Sequence, residues 1–540
     1  MQHSRPVRSW AIAFLLTVPL LAQETPDAPG ARGGRRGPRA KPVVVKVGVL
    51  HPVSGPAIEN GVLVFAGNQI QAVGKEGEVT IPPDAEVHEH PQAHAYPGLI
   101  DALCVAFQEE APQDPGTDAG SEQVSGLDPY ERGSRGLLAA GITTAAIVSR
   151  ANTMWRGIAP VVRATRERFA PFQPRPEAGV QMRATSGPSG GHALDRAKAL
   201  RGLGDAFEGL EEYEKAQADH KKALDEYTKK RGEFLAWHRS RNPAGATASR
   251  PASAPASAPE SAPATAATRP AEGGENRPQG GPPGPGGERR GRFPRGEGGR
   301  GGVPGGGPGG APQPGTPPPA GQEPAGAAAG RGAPAGGEAP KKPEYPKTPQ
   351  KDPAREALLK VSKGDLALRI EAHRPEEIRA ALQLARERNL RRVVLEYASE
   401  AGPIAKEIAE AGVPVVVAAA SREAWMPETV EEAGASPVAG LHRRLHEAGV
   451  SFAIGSGQPR QWRALPLLVA ESVGEGLPAD AALRAITLGA AEVLGIERFV
   501  GSLERGKVAD VVLTSGPLFG SDSQVVKVFS AGQVGYEVSR

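Results

Sequence analysis

From Pro353 to Leu494 the chain alternates short apolar runs with amphipathic helical stretches, and this alternation restricts it to folds built on a parallel sheet. Strands are expected at Ala367–Glu371, Arg392–Tyr397, Val413–Ala418 and Val450–Ile454. Helices are expected at Ala354–Val361, Glu376–Glu387, Ile404–Ala411, Val438–Ala448, 461–475 and 478–494. A strand that returns through a helix pairs in parallel with the next strand by a right-handed crossover. Residues 96–195 show the same rhythm: Arg135–Ala140 reads as a helix, Gly141 ends it, and Ile142–Val148 is a buried strand.

Other segments follow different rules. Val43–Val47, Gly61–Phe65 and 68–74 read as strands, with Asn60-Gly61 and Gly67-Asn68 favouring tight hairpins. Residues 193–241 are charged and helical, with Leu200, Leu203, Phe207 and Leu210 at helical spacing, but Gly202, Gly204, Gly209 and Gly232 predict a broken helix or a helical pair. Residues 242–352 are Pro, Ala and Gly rich with almost no large apolar side chains, so they cannot offset their own ordering entropy and read as a disordered insertion. Its Gly287–Phe293 stretch resembles an Arg-Gly element, which is either a solvated linker or a weak polyanion contact. Setting aside 1–40 and 242–352 leaves roughly 390 residues, which suits a barrel of eight strand–helix units with a small β domain.

Residues 1–22 carry Arg5 and Arg8, an apolar run from Trp10 to Leu21, and Ala22 before Gln23, the pattern of a secretory signal peptide. Export to the periplasm or beyond the cell is therefore expected, with 23–40 as a flexible lead-in. No later stretch is apolar and long enough to span a membrane, so no span is expected after signal cleavage. A single cysteine, Cys104, forbids an internal disulfide, so the exported fold rests on its core; its apolar strand context points to a buried, inert thiol. A net charge of +3 is too small to indicate nucleic-acid binding.

Tyr96-Pro97-Gly98-Leu99-Ile100-Asp101 resembles the opening of the first barrel strand in the amidohydrolase superfamily, in particular its exported imidazolonepropionase-like members. The resemblance extends to Gly67–Gly74 and Ile81–Val87, to Leu137–Thr144, to Ala481–Gly495 and to Val500–Val512, in the family's order along the chain. It implies a (β/α)8 barrel of the TIM type plus a small β-sandwich built from the N- and C-terminal segments. On this reading 41–95 is the first part of the sandwich and 96–241 the first barrel half with a helical insertion. The linker occupies 242–352, the second barrel half 353–498, and 499–540 completes the sandwich.

The resemblance also implies one or two divalent metals, such as zinc, held at the barrel mouth by histidine and carboxylate, where they lower the pKa of a bound water. Here the two first-strand histidine positions are Leu103 and Val105. In the family's Val-His-Ala-His-Arg region the chain reads Ile370-Glu371-Ala372-His373-Arg374, so His373 survives and Glu371 stands for the other histidine. Tyr397 occupies the next histidine position, and Ser456-Gly457 replaces the eighth-strand Ser-Asp, so the family's base is absent. Asp101 keeps the family's structural aspartate.

The leading expectation is an exported, non-catalytic amidohydrolase-like protein without a metal, which binds a small molecule at the barrel mouth or partners an active relative as a homo- or hetero-oligomer. A second reading is an active hydrolase of non-peptide C–N bonds with a relocated metal site, its candidates Glu371, His373 and Glu396, with Arg156 or Arg374 holding an anionic substrate group. His88, His90 and His94, read as an exposed group ahead of the first barrel strand, offer a second place for a substitute metal. A third reading is an envelope-binding scaffold whose working part is the disordered segment.

Overall fold

Val44, Val45, Val47 and Leu50 are all buried, so the valine-rich first strand needs cover on both faces. In the computed structural model it finds that cover in a seven-stranded sheet. The structure describes residues 40–105, 118–123, 130, 133–149, 153–173, 177–184, 201–202, 204–241, 340–419 and 440–538. The signal pattern, the lead-in, the Arg-Gly element and nearly all of the insertion lie outside these residues.

The strands of this sheet are β1 (Pro42–Leu50), β2 (Ile58–Ala66), β3 (Gln69–Lys75) and β4 (Glu86–Pro97), joined by three strands from the C-terminal end of the chain. The barrel strands follow β4 in sequence: β5 (Leu99–Cys104), β6 (Ile142–Ile147), β7 (Trp155–Ala164), β8 (Phe169–Pro171), β9 (Glu177–Arg183), β10 (Leu368–Ala372), β11 (Val393–Tyr397), β12 (Val415–Ala418) and β13 (Phe452–Gly455). The last three strands, β14 (Val511–Thr514), β15 (Val525–Ser530) and β16 (Gln533–Glu537), return to the first sheet, whose order is β16-β15-β14-β4-β1-β2-β3. The segment leading into β14 ties back to the two turns at the sheet's sides: the Ala509 N–H donates to Asn68 O at 2.9 Å, and the Gly532 N–H to Ala509 O at 2.8 Å. Val45, Leu63, Phe65, Ile70, Leu513 and Phe529 belong to the core of this sheet. Each such fully buried side chain contributes about 1.5–3 kcal/mol of transfer free energy.

The second sheet runs β13-β12-β11-β10-β9-β7-β6-β5, with β8 attached to β7. Gly457 N–H donates to Leu103 O at 2.8 Å and Ser456 N–H to Asp101 Oδ1 at 2.9 Å, drawing the chain just past β13 onto β5 and nearly closing a barrel of eight strands. Asp101 Oδ1 also accepts from Leu103 N–H at 3.1 Å, so this aspartate has the structural part expected of it. Among the described residues the barrel departs from uniform strand–helix repetition around β7. β7 runs antiparallel to both β6 and β9. The link from Ala164 to Glu177 carries the short strand β8 folded back on β7, and a link that short, with no helix among its described residues, makes a hairpin rather than a parallel crossover.

The described helices are α1 (Gly133–Ala139), α2 (Leu210–Arg241), α3 (Pro353–Lys363), α4 (Pro375–Glu387), α5 (Ala405–Ala411), α6 (Leu441–Glu447), α7 (Leu465–Gly474), α8 (Ala479–Ala485) and α9 (Leu488–Leu494). α3 starts where Asp352 caps it, its Oδ1 accepting from the Ala354 and Arg355 N–H groups. The helix expected over 478–494 is two helices. Ile100 N–H on β5 takes the Ile486 carbonyl at 2.8 Å, and Thr487 leaves helical geometry at φ −137 and ψ −101. The stretch 461–475 begins as a 3-10 turn at Gln461–Ala464 and becomes α-helical only at Leu465.

Residues 222–346 form a separate unit, of which 222–241 and 340–346 are described. There the Tyr345 ring meets Tyr227 of α2 edge-on at 5.2 Å. The described chain resumes at Pro340 without regular secondary structure, ahead of the helix start at Pro353.

Candidate functional site

Strand alternation on β10 sorts its side chains by face. Leu368, Ile370 and Ala372 join the outer core between strands and helices. Arg369, Glu371 and His373 therefore point the other way, into the barrel, and all three are buried. Glu396 of β11 is the register partner of Glu371 and points inward as well. The three carboxylate and imidazole candidates thus share one interior.

What they meet there is mostly arginine. Arg369 Nε lies 2.5 Å from Glu396 Oε1, and Arg369 Nη2 reaches across the interior to donate to Ala102 O on β5 at 2.8 Å. The second Glu396 oxygen accepts from Gln181 Nε2 at 3.0 Å. Gln181 Oε1 in turn accepts from Ser149 N–H and from Gln123 Nε2, both at 3.0 Å. One layer further along β10, Glu371 is gripped from two strands: Arg156 Nη1 of β7 is 2.5 Å from Oε2, and Arg183 Nε of β9 is 3.1 Å from Oε1. Burial alone would raise the Glu371 carboxyl, but Arg156 and Arg183 outweigh it and hold the group well below the usual carboxylate range. Burial pushes the Arg183 guanidinium down against the pull of Glu371.

His373 Nε2 lies 3.4 Å from Glu371 Oε1, and its Nδ1 lies 3.0 Å from Ser399 Oγ. Its backbone N–H and that of Arg374 both donate to Glu377 Oε2, which fixes the start of α4. Arg374 is thus placed at a helix cap, while Arg156 is engaged by Glu371.

The four positions that differ from the resembled motifs come together. Leu103, Val105 and Tyr397 belong to one buried apolar cluster with Val148, Val161 and Val416. Tyr397 enters it because its φ of 65° breaks the alternation of β11 immediately after the inward-facing Glu396. Its hydroxyl donates to Gly457 O at 3.0 Å, and Gly457 N–H donates to Leu103 O. Gly457 itself has a φ of 67°, and a Cβ there would sit 2.5 Å from the Ala418 Cβ, so only glycine fits without displacement.

His88, His90 and His94 lie on strand β4 rather than on a loop, and His88 and His94 have different partners. His88 Nε2 is 3.3 Å from Glu86 and its Nδ1 3.3 Å from Lys527 Nζ. His94 Nδ1 is 3.1 Å from His51 Nε2. Among the described residues no three His, Cys, Asp or Glu side chains converge on a point where a metal ion would sit. Cys104 is fully buried.

Arg183, Arg369, Gln181 and Ser399 were not among the candidates from sequence. Arg369 had a signal: Leu368-Arg369-Ile370-Glu371 places two opposite charges on one face of a strand whose other residues are apolar. Nothing local marks Arg183 or Gln181, whose carboxylate partners lie on strands more than 180 residues away.

The amidohydrolase family pattern matches residues 354–535. No curated protein is similar to the chain at the level of sequence. Among solved structures, an amidohydrolase from Thermotoga maritima MSB8 has a TM-score of 0.61 at 18% identity, covering 92% of this chain and 100% of that one. Ochratoxinase from A. niger gives a TM-score of 0.46 at 14% identity, over 93% and 97% of the two chains. Proteins of this family generally use a divalent metal such as zinc, and the described interior does not suit one: its carboxylates are taken by guanidinium groups, and two of the expected ligand places are apolar. Residues 354–535 thus carry the amidohydrolase family pattern, and the barrel with its composite sheet shares the fold of the Thermotoga maritima amidohydrolase.

Proposed function

We propose that this is an exported amidohydrolase-fold protein that has lost the superfamily's metal-hydroxide chemistry and binds a small molecule at the barrel mouth, alone or as the partner of an active relative. The observation that carries this reading is the joining of the four replaced positions. Leu103, Val105, Tyr397 and Gly457 form a packed, hydrogen-bonded wall where the resemblance places two metal ligands, a third histidine and a base. Export rests on the charged and apolar pattern of residues 1–22.

A relocated metal site at Glu371, His373 and Glu396 is disfavoured by the same electrostatics that hold the Glu371 carboxyl down. A dication would have to displace Arg156 and Arg183 from one carboxylate and Arg369 from the other. Truncating one partner of such a buried pair typically costs about 3–5 kcal/mol. Among the described residues no helix is long and apolar enough to cross a membrane.

The test is metal content. The untagged protein, produced with added Zn2+ and Mn2+ and then desalted, is measured by elemental mass spectrometry. Near-zero metal per chain is expected. About one tightly held ion per chain would overturn the reading and direct attention to His373.

A further inference from the structure

β11 ends in a way that ordinary barrel strands do not. Tyr397 and Ala398 are consecutive non-glycine residues with φ of 65° and 44°, and Ser399 follows them directly. A 3-10 turn at Gly402–Ile404 and then α5 come next. Two adjacent left-handed residues cost of order 1–3 kcal/mol each and persist only where the surroundings impose them, typically at functional turns. The strand–strained turn–helix arrangement is the one that lifts a serine hydroxyl clear of a sheet in hydrolases with a serine nucleophile.

The partners of that serine are in place. Ser399 Oγ is 3.0 Å from His373 Nδ1, and the other ring nitrogen, Nε2, is 3.4 Å from Glu371 Oε1. A carboxylate on Nε2 favours the tautomer with the proton there, which leaves Nδ1 as an acceptor facing the serine. Glu371 is fixed in turn by Arg156 and Arg183, so the orienting carboxylate is itself oriented. Ser399 is partly exposed while His373 and Glu371 are buried. The Glu400 N–H binds the His373 carbonyl at 2.9 Å, tying the serine turn to the strand end that carries the base.

We infer that Ser399, His373 and Glu371 form a metal-independent nucleophile, base and orienting acid that react with small carboxylic esters. Ser399 Oγ forms a bond to the ester carbonyl carbon as its proton passes to His373 Nδ1. The tetrahedral adduct collapses, the carbon–oxygen bond to the alcohol breaks, and the leaving alkoxide takes that proton. Water then adds to the acyl-serine and gives its proton to Nδ1. The carboxylic acid departs, and Ser399 Oγ is reprotonated. Glu371 stays ionised and stabilises the imidazolium that forms at each stage. This goes beyond the metal-free reading without depending on it, because the constellation uses no metal.

The experiment treats the full-length protein, in EDTA, with diisopropyl fluorophosphate and follows intact mass and peptide mapping. One adduct per chain on Ser399 is expected, none on that peptide in Ser399→Ala, and labelling slowed at least about 100-fold in His373→Gln, the usual worth of a general base. Turnover of p-nitrophenyl acetate should show an initial burst that Ser399→Ala removes. Absence of an adduct, an adduct confined to other residues, or equal labelling of Ser399 in a folded His373→Gln variant would overturn the inference. Mapping on the unaltered protein decides the site even if the histidine variant does not fold. The metal measurement is independent of this result, so the two readings fail separately.

Discussion

The Tyr397 hydroxyl donates to the Gly457 carbonyl at 3.0 Å, linking the ends of β11 and β13 at two positions where the family resemblance places a histidine and an aspartate. The bond is buried, and Tyr397 reaches it only because its backbone is left-handed. The two changes therefore form one structural unit: the phenol fills space a ligand would use, and the glycine carbonyl takes its proton.

Tyr397→Phe keeps the ring in its apolar cluster and leaves the buried Gly457 carbonyl without that donor. The expected loss is about 1–2 kcal/mol in urea unfolding. A variant as stable as the parent would mean that the bond is not formed in solution.

Gly457→Asp puts the family's carboxylate back. The left-handed φ and the close Ala418 Cβ set the result: a loss of about 1–3 kcal/mol or more, with no gain of bound zinc by elemental analysis. A stable, zinc-loaded variant would show that the missing aspartate alone had disabled a metal site.

Arg369→Met breaks the pair with Glu396 and strands a buried carboxylate, at about 3–5 kcal/mol. Arg369→Met combined with Glu396→Leu should recover most of that loss. The double-mutant cycle is read from denaturant midpoints, and simple additivity of the two single losses would contradict the pairing.

His442 of α6 is buried, with Nδ1 2.9 Å from Ser472 Oγ, and burial lowers its pKa from 6.5 to about 4. The fold holds it neutral while the unfolded chain protonates it below pH 6.5. Its contribution is therefore complete above pH 6.5 and declines as pH falls towards about 4, by roughly 3 kcal/mol across that window. Unfolding midpoints measured from pH 7.5 to 4 should fall with a slope that His442→Gln reduces. An unchanged slope in the variant would assign the acid sensitivity to other groups.

Much of the architecture was legible because local pattern and tertiary role agree. The expected strand at Ala367–Glu371 is β10, the expected helix at Glu376–Glu387 is α4, and Gly141 ends α1 at a φ of 82°, as a glycine after a helix should. The direction of β7 was not legible. An apolar run reads the same whether its neighbour is parallel or antiparallel, and only the short link through β8 decides between them. The break at Ile486-Thr487 was hidden for a similar reason: the residues are compatible with helix, and the competing hydrogen bond comes from Ile100, far away in sequence.

For the site, sequence alone determined the chemical groups available: apolar side chains at 103 and 105, a phenol at 397, no side chain at 457, and a histidine flanked by acids and arginines near 373. Tertiary structure decided their use. Arg156 and Glu371 are 215 residues apart and meet because β7, β9 and β10 are neighbours in one sheet. Ser399 faces His373 because two strained residues redirect the chain after β11. Side-chain chemistry is a property of each residue, whereas pairing between strands depends on register and closure, which no local stretch of sequence contains.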